Sequence, residues 1–164
     1  MATLTAWKFD SADGARNASA TLRDLQSQGL IQVHDAAVVS WEEGKKKPRT
    51  AQLHDLAGAG ALGGMFWGML FGLIFFIPLL GAAMGAAVGA LSGSLTDVGI
   101  DDGFIRRVRE EVTPGTSALF LLSSDAVQDR VKEAFTGQRM ELLHTNLDGD
   151  QEARLREVFE DSQA

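Results

Sequence analysis

Histidines are the residues of this sequence whose chemistry is easiest to place, and two of them occupy similar positions. His34 ends the stretch LIQVH and His144 ends the stretch MELLH, so both are predicted to lie on strands. If those strands are neighbours, the two imidazoles could bind a metal ion or respond to pH. The simpler interpretation is that both histidines have ordinary partners within a sheet. His54 is the third histidine.

Two further motifs resemble ligand loops without the context that such loops need. Gly58, Gly60 and Gly63 spell G-x-G-x-x-G, but no predicted strand precedes them and no acidic residue follows about twenty positions later. The stretch NLDGDQ at 146–151 has acidic residues, but its glycine lies at the wrong offset for a calcium loop. With no cysteine, thiolate metal sites and disulfides are excluded. We therefore predict no catalytic residue, no cofactor and no enzymatic activity.

Two polar arms flank one apolar block. None of the 41 positions between Asp55 and Asp97 is charged, and 10 of the 18 glycines lie there. The net charge of -7 comes from the second arm, because residues 97–164 hold fifteen acidic and eight basic side chains, whereas residues 1–56 hold seven of each. This balance argues against a nucleic-acid partner, which needs a basic face to neutralise phosphates.

The first arm, residues 1–56, is predicted to form strand, helix and strand. A strand over 3–9 is followed by a helix over about 12–28, which Asp10 and Ser11 would cap and Gly29 would end. A second strand is predicted over 30–41. Alternating apolar residues define the strands, and Ala15, Ala18 and Leu22 recur on one helical face.

The second arm, residues 96–164, repeats this pattern after a short helix. The helix begins at Asp101, turns Phe104, Ile105, Val108 and Val112 inward, and ends at Pro114–Gly115. A strand over 117–123, a helix after Ser124–Asp125, a strand over 139–147 and an acidic helix over about 150–161 follow. We therefore predict an α+β fold, a ferredoxin-like duplicated strand–helix–strand domain with helices on one face of a four-stranded sheet. Chance similarity between the two arms is the alternative.

The apolar block, residues 57–95, is predicted to be a helical hairpin inserted between the arms. One straight helix of this length would measure about 58 Å, roughly twice the hydrocarbon thickness of a bilayer. Pro78 divides the block into helices of about 57–77 and 79–95. Each half carries four glycines at four-residue spacing, which would place them on one helical face and let another backbone approach closely. This double glycine zipper predicts homo-oligomerisation through Gly60, Gly64, Gly68, Gly72, Gly81, Gly85, Gly89 and Gly93.

The two halves of the block differ in side-chain size. The first half has bulky apolar side chains from Met65 to Phe76 and is expected to face outward, toward acyl chains, whereas the second is mostly Ala and Gly and is expected to be enclosed. Basic residues flank the block and are candidates for contact with a membrane surface: Lys45, Lys46, Lys47, Arg49, Arg106, Arg107 and Arg109. The turn around Pro78 contains no polar side chain, so a re-entrant hairpin or hairpin tips that meet in an oligomer are alternatives to a full crossing.

Four stretches carry a resemblance to a known family. The chain has AWKFD at 6–10, the apolar glycine block, TDVGIDDGFIRRVR at 96–109 and SALFLL at 117–122. In this order they resemble the bacterial family named domain of unknown function 1269, over about residues 4–147. The resemblance implies a membrane protein and supplies no catalytic residues.

We therefore expect a homo-oligomer in the bacterial inner membrane. The first ten residues lack the pattern of a cleaved signal peptide, so the arms are expected on the cytoplasmic side. The alternatives are a soluble cytoplasmic particle with the hairpins buried in its core, a pore, or a domain that senses an unknown small-molecule ligand.

Overall fold

The computed structural model describes residues 2–31, 33–53, 64–76, 100, 102–124, 130, 131, 133 and 140–146. They form an α+β fold. Its strands are β1 (Ala2–Phe9), β2 (Asp35–Ser40), β3 (Arg49–Gln52), β4 (Ser117–Ser124) and β5 (Met140–Asn146). Its helices are α1 (Gly14–Ser27), α2 (Gly64–Phe71), a π-helical turn (Gly72–Phe76) that continues α2, and α3 (Asp102–Glu111).

The five strands form one sheet in the order β3-β2-β4-β1-β5, and every neighbouring pair is antiparallel. Strands β1 and β2 run in the same direction on either side of β4, and α1 connects them. The predictions of β1, β4 and β5 are confirmed to within one residue at each end. The strand predicted over 30–41 was too long, because only Asp35–Ser40 pairs with β4, and β3 was not predicted.

Helices cover both faces of the sheet, so the prediction of helices on one face was wrong. On one face, α2, the π-helical turn and α3 pack against Leu4, Val39, Phe120 and Leu122. On the other face, α1 and the helical residue Val131 pack against Trp7, Phe9, Ala36, Leu119 and Leu121. Because alternate side chains of a strand point to opposite faces, β4 is buried on both.

A serine of β4 accepts a hydrogen bond from a backbone amide in the first turn of α1. The predicted cap at Asp10 and Ser11 was wrong, because the helix begins after Asp13 and the Asp13 side chain makes no capping hydrogen bond. Instead, Ser117 Oγ accepts a hydrogen bond from the Ala15 amide at 2.8 Å and donates one to the Ser11 carbonyl at 2.7 Å. The buried Ser117 thus connects α1 to the centre of the sheet.

We expect Ser117→Ala to lower the free energy of unfolding by about 1–2 kcal/mol, because it leaves a buried amide of the first helical turn without its acceptor. Urea denaturation followed by circular dichroism measures the change. Ser27→Ala is the matched control, because the Ser27 hydroxyl donates to the Asp24 carbonyl in an exposed part of the same helix. An equal loss in both variants would contradict the capping role of Ser117.

The predicted end of α1 and the predicted inward face of α3 are confirmed, whereas α3 ends at Glu111, before the predicted end at Pro114–Gly115. Gly29 ends α1 with a positive φ of 74°, and the Leu30 amide donates to the Leu25 carbonyl at 3.0 Å, as in a glycine-terminated helix. The four apolar residues predicted to point inward from α3 are buried: Phe104, Ile105, Val108 and Val112.

Several predictions lie outside the described residues. They concern the helix over 79–95 with its four glycines, Gly60, the turn at Pro78, the helix over 150–161, and the loop motifs at 58–63 and 147–151. Of the helix predicted after Ser124–Asp125, the described residues Arg130, Val131 and Glu133 are helical. Among the described residues, no helix is both long enough and apolar enough to cross a membrane.

Candidate functional site

The first half of the apolar block packs on the sheet through its bulky side chains. We refer to residues 64–76, comprising α2 and the π-helical turn, as the apolar helix. Seven of its large side chains are at most 3% exposed: Phe66, Trp67, Leu70, Phe71, Leu73, Ile74 and Phe75. The ring of Phe120 on the central strand β4 lies 5.1 Å from that of Phe71 and 6.5 Å from that of Trp67. The expectation that these side chains face outward toward lipid was therefore wrong in the described structure.

A buried carboxylate fixes the apolar helix to the sheet. Asp35, the first residue of β2, has no exposed surface, and it accepts a hydrogen bond from Trp67 Nε1 at 2.9 Å. The same carboxylate accepts hydrogen bonds from Gln52 Nε2 of β3 at 3.2 Å and from the Ala36 amide at 2.9 Å. Hydrogen bonds offset the cost of burying a charged group. Asp35 thus joins β2, β3 and the apolar helix.

A second polar contact lies at the other end of the apolar helix. Arg109 of α3 donates from Nε to the Ile74 carbonyl at 3.1 Å and from a terminal guanidinium nitrogen to the Leu73 carbonyl at 2.6 Å. A guanidinium presents several N–H donors in a fixed plane, so it can bind two neighbouring backbone carbonyls at once. Arg109 was predicted to contact a membrane surface; in the structure its guanidinium binds the backbone of the apolar helix.

The glycines of the apolar helix point away from the sheet. Gly68 is exposed, Gly72 is half-buried, and no described atom lies within 4 Å of the position that a Cβ would take at either residue. Gly64 lies four residues before Gly68, at the beginning of α2. Because every fourth residue shares a helical face, the glycines form one face opposite the bulky side chains. We refer to it as the glycine face.

The predicted basic residues occupy two places in the fold. Arg106 and Arg107 are exposed on α3. Lys45, Lys46 and Lys47 are exposed in the connection between β2 and β3, and Arg49 is exposed at the beginning of β3. Together with Arg16 of α1 they line a groove. We refer to this groove as the basic groove. Arg16 was not predicted to belong to this groove, because it is 29 residues from Lys45 along the chain.

The topology excludes a metal site shared by His34 and His144. The His34 amide donates to the Leu122 carbonyl of β4, whereas His144 lies on β5 opposite Thr5 of β1. Strands β4 and β1 lie between them, and three strand spacings amount to about 14 Å. Two ligands of one zinc ion must both lie about 2 Å from it. Among the described residues, no group of three or more His, Asp or Glu side chains could hold a metal ion.

The comparisons with known proteins identify a family. The family model described as Protein of unknown function (DUF1269) matches residues 61–160, a range that includes the apolar helix, α3, β4 and β5. Comparisons with curated proteins and with solved structures gave no match. Since the family model matches more than half of the chain, this protein belongs to the family of proteins of unknown function DUF1269.

Proposed function

We propose that this protein is a non-enzymatic assembly protein that forms homo-oligomers through its glycine face. In this proposal the glycine face of one copy packs against that of another, and the α+β domain is displayed around the assembled helices. The observation that carries the proposal is that no described atom lies within 4 Å of a Cβ built at Gly68 or Gly72, on a helix whose opposite side is buried against the sheet. Glycines on such a face let two helix backbones approach closely.

The placement of the bulky side chains supports this choice of surface. The seven buried side chains of the apolar helix already have partners within the same chain, so they are not free to form the contact between copies. An exposed glycine in a helix lowers helix stability by about 1 kcal/mol relative to alanine. Close packing against a second helix would offset that cost.

The displayed domain is proposed to be ferredoxin-like. Four strands of the sheet have the order β5-β1-β4-β2. Strands β1 and β2 lie on either side of β4, and strands β4 and β5 lie on either side of β1. Helix α1 connects the first pair, and Arg130, Val131 and Glu133 are helical between the second. This interlocking of two strand–helix–strand units is the ferredoxin-like pattern. It supports the duplication that the sequence predicted.

We expect Gly68→Ile combined with Gly72→Ile to reduce the oligomer to smaller species, because two branched side chains would hold the facing helices apart. The fold of each copy should be retained, since no described atom lies within 4 Å of either new Cβ. Light scattering coupled to size-exclusion chromatography measures the mass, and circular dichroism reports on the fold. The matched control is Ala20→Ile, which adds the same side chain to the exposed side of α1.

Two results would contradict this proposal. One is a wild-type protein that is monomeric at all concentrations measured. The other is an unchanged oligomeric mass in the double glycine variant, which would show that another surface holds the copies together.

A membrane-associated form of this assembly, at the inner membrane with the α+β domain on the cytoplasmic side, is the second candidate. The exposed cations of the basic groove and of α3 favour it, because such residues attract anionic lipid headgroups. Sedimentation of a cell lysate without detergent tests it. Recovery of the protein with the membrane fraction is expected, and recovery as a discrete particle in the supernatant would contradict membrane association while leaving the glycine-face assembly in place.

A further inference from the structure

The basic groove lies between the first turn of α1 and the connection from β2 to β3. Its volume is about 490 Å³, large enough for a small molecule. Among the described residues, five cations and one carboxylate, Glu42, line it, together with Ser40 and the buried Pro48. The cations come from two separate parts of the chain: Arg16 on α1, and Lys45, Lys46, Lys47 and Arg49 around the β2–β3 connection.

The charge of the groove is opposite to that of the whole chain. The lining residues carry a formal charge of +4, from five cations and one carboxylate, whereas the chain as a whole carries -7. The salt bridge found among the described residues joins Lys8 and Asp10, which lie outside the groove. None of the five cations of the groove therefore pairs with a described carboxylate. Like charges gathered around a concave surface repel one another and attract anions. This local excess is therefore suited to a multiply charged anion.

Hydrogen bonds of the Trp41 indole and of the backbone hold the lysine-bearing loop in place. Trp41 Nε1 donates to the Lys45 carbonyl at 2.9 Å, and the Lys45 amide donates to the Glu42 carbonyl at 3.2 Å. Gly44 completes this turn with a φ of 82°, a conformation that favours glycine. The Gly115 amide donates to the Trp41 carbonyl at 2.7 Å and ties the loop to the beginning of β4. A preformed loop lowers the entropy cost of binding a ligand.

We propose that the basic groove binds a phosphorylated anion with at least two phosphate charges. Guanidinium groups bind phosphate oxygens in pairs, and lysine ammonium groups add point charges, so the mixture of Arg16, Arg49 and three lysines matches this chemistry. Ser40 has a positioning role, because its hydroxyl already donates to the Ala12 carbonyl at 2.5 Å and so connects β2 to the residues before α1. The acidic chain and the confined groove favour a small anion over nucleic acid, which requires an extended basic surface.

Inorganic pyrophosphate is the probe for this site, with binding measured by isothermal titration calorimetry at low salt. We expect wild-type protein to bind it and Lys46→Gln combined with Lys47→Gln to weaken binding about tenfold or more, since each charge-assisted hydrogen bond contributes substantially. The matched control is Arg106→Gln combined with Arg107→Gln, which removes two adjacent exposed cations from α3 and should change the affinity less than about twofold.

The Arg16→Gln variant tests whether the whole groove binds the anion or the run of lysines binds it alone. Because Arg16 reaches the groove from α1, its loss should weaken pyrophosphate binding by about fivefold or more. The proposal is overturned if wild-type protein binds neither pyrophosphate nor anionic vesicles, if the α3 control loses as much affinity as the groove variant, or if Arg16→Gln has no effect.

Vesicles of cardiolipin and phosphatidylcholine identify the source of the phosphate, because each cardiolipin headgroup carries two phosphate groups. If the natural ligand is a lipid headgroup, wild-type protein should float with these vesicles and pyrophosphate should displace it, and the Lys46 and Lys47 double variant should not float. If the ligand is a free phosphorylated molecule, pyrophosphate should bind without any flotation. Flotation that persists in the groove variant would assign the lipid contact to another surface and overturn the groove as the lipid site.

Discussion

Replacement of Phe120 with alanine is expected to lower the free energy of unfolding by about 3–5 kcal/mol, the typical cost of deleting a buried aromatic side chain. Phe120 lies on the central strand β4, has no exposed surface, and packs edge-on against Phe71 and Trp67 of the apolar helix. Loss of the Phe120 ring removes the side chain of the sheet against which Phe71 and Trp67 of the apolar helix pack. Urea denaturation followed by circular dichroism measures the change, at one fixed protein concentration because the proposed assembly would also contribute to stability.

Leu30→Ala is the comparison for Phe120→Ala, since Leu30 is 45% exposed and its truncation should cost much less. We also expect Phe120→Ala to make the apolar helix more accessible to protease, because the helix and the sheet stabilise each other. A loss below about 1 kcal/mol on replacement of Phe120 would contradict the docking of the apolar helix on this face.

The second large effect is expected at the buried hydrogen bond between Trp67 and Asp35. Trp67→Phe keeps an aromatic ring but removes the Nε1 donor, so the Asp35 carboxylate loses one of the groups that offset its burial. The expected cost is about 2–3 kcal/mol, partly from the lost hydrogen bond to a charged acceptor and partly from the smaller ring. Trp41→Phe is the matched control, because the Trp41 indole donates to the carbonyl of Lys45 in an exposed loop.

A double-mutant cycle separates the hydrogen bond from the loss of ring volume. Asp35→Asn removes the charge with little change of shape, and the double variant with Trp67→Phe completes the cycle. We expect a coupling free energy of about 1 kcal/mol or more, as is usual for residues in direct contact within one hydrogen-bonded network. Additive effects of the two substitutions would show that the pair does not anchor the apolar helix.

Short-range patterns in the sequence were sufficient for much of the fold. Alternating residues predicted β1, glycine at position 29 predicted the end of α1, and helical spacing predicted which side chains of α3 are buried. Each of these signals depends on residues within a few positions of one another. The capping of α1 by Ser117 was not predictable in this way, because the two partners are 102 residues apart.

The errors about the sheet have a common physical cause. After Ser117, the run ALFLL over 118–122 of β4 has no polar residue on either side of the strand, a pattern typical of strands that are buried on both faces. Our prediction that helices cover only one face of the sheet did not take this pattern into account. The sequence also left open a metal site shared by His34 and His144 beside the simpler interpretation of ordinary partners within a sheet. Similar positions in two strands do not make those strands neighbours, and the order β2-β4-β1-β5 separates the two histidines.

The candidate site was only partly predictable. The four-residue spacing of the glycines correctly indicated a common helical face, and Gly68 and Gly72 lie on it. The spacing could not indicate what lies against the bulky side chains, because lipid and a sheet offer the same apolar environment. Burial of Asp35 beside Trp67 also had no sequence signal, since an aspartate at the beginning of a strand is usually read as a surface residue.

Trp41 connects the loop of the basic groove to the apolar helix, so a movement of either one can affect the other. Its indole N–H holds the loop of the basic groove, while its ring packs edge-on against Phe75 of the apolar helix, with 6.1 Å between the ring centroids. One side chain therefore takes part in both regions. Any event that displaces the loop changes the environment of Phe75, and displacement of the helix changes the loop by the same free energy, because thermodynamic coupling between two sites is reciprocal. The Trp41 indole is also an intrinsic fluorophore that contacts both the loop and Phe75, so its emission can report a displacement of either one without an added label.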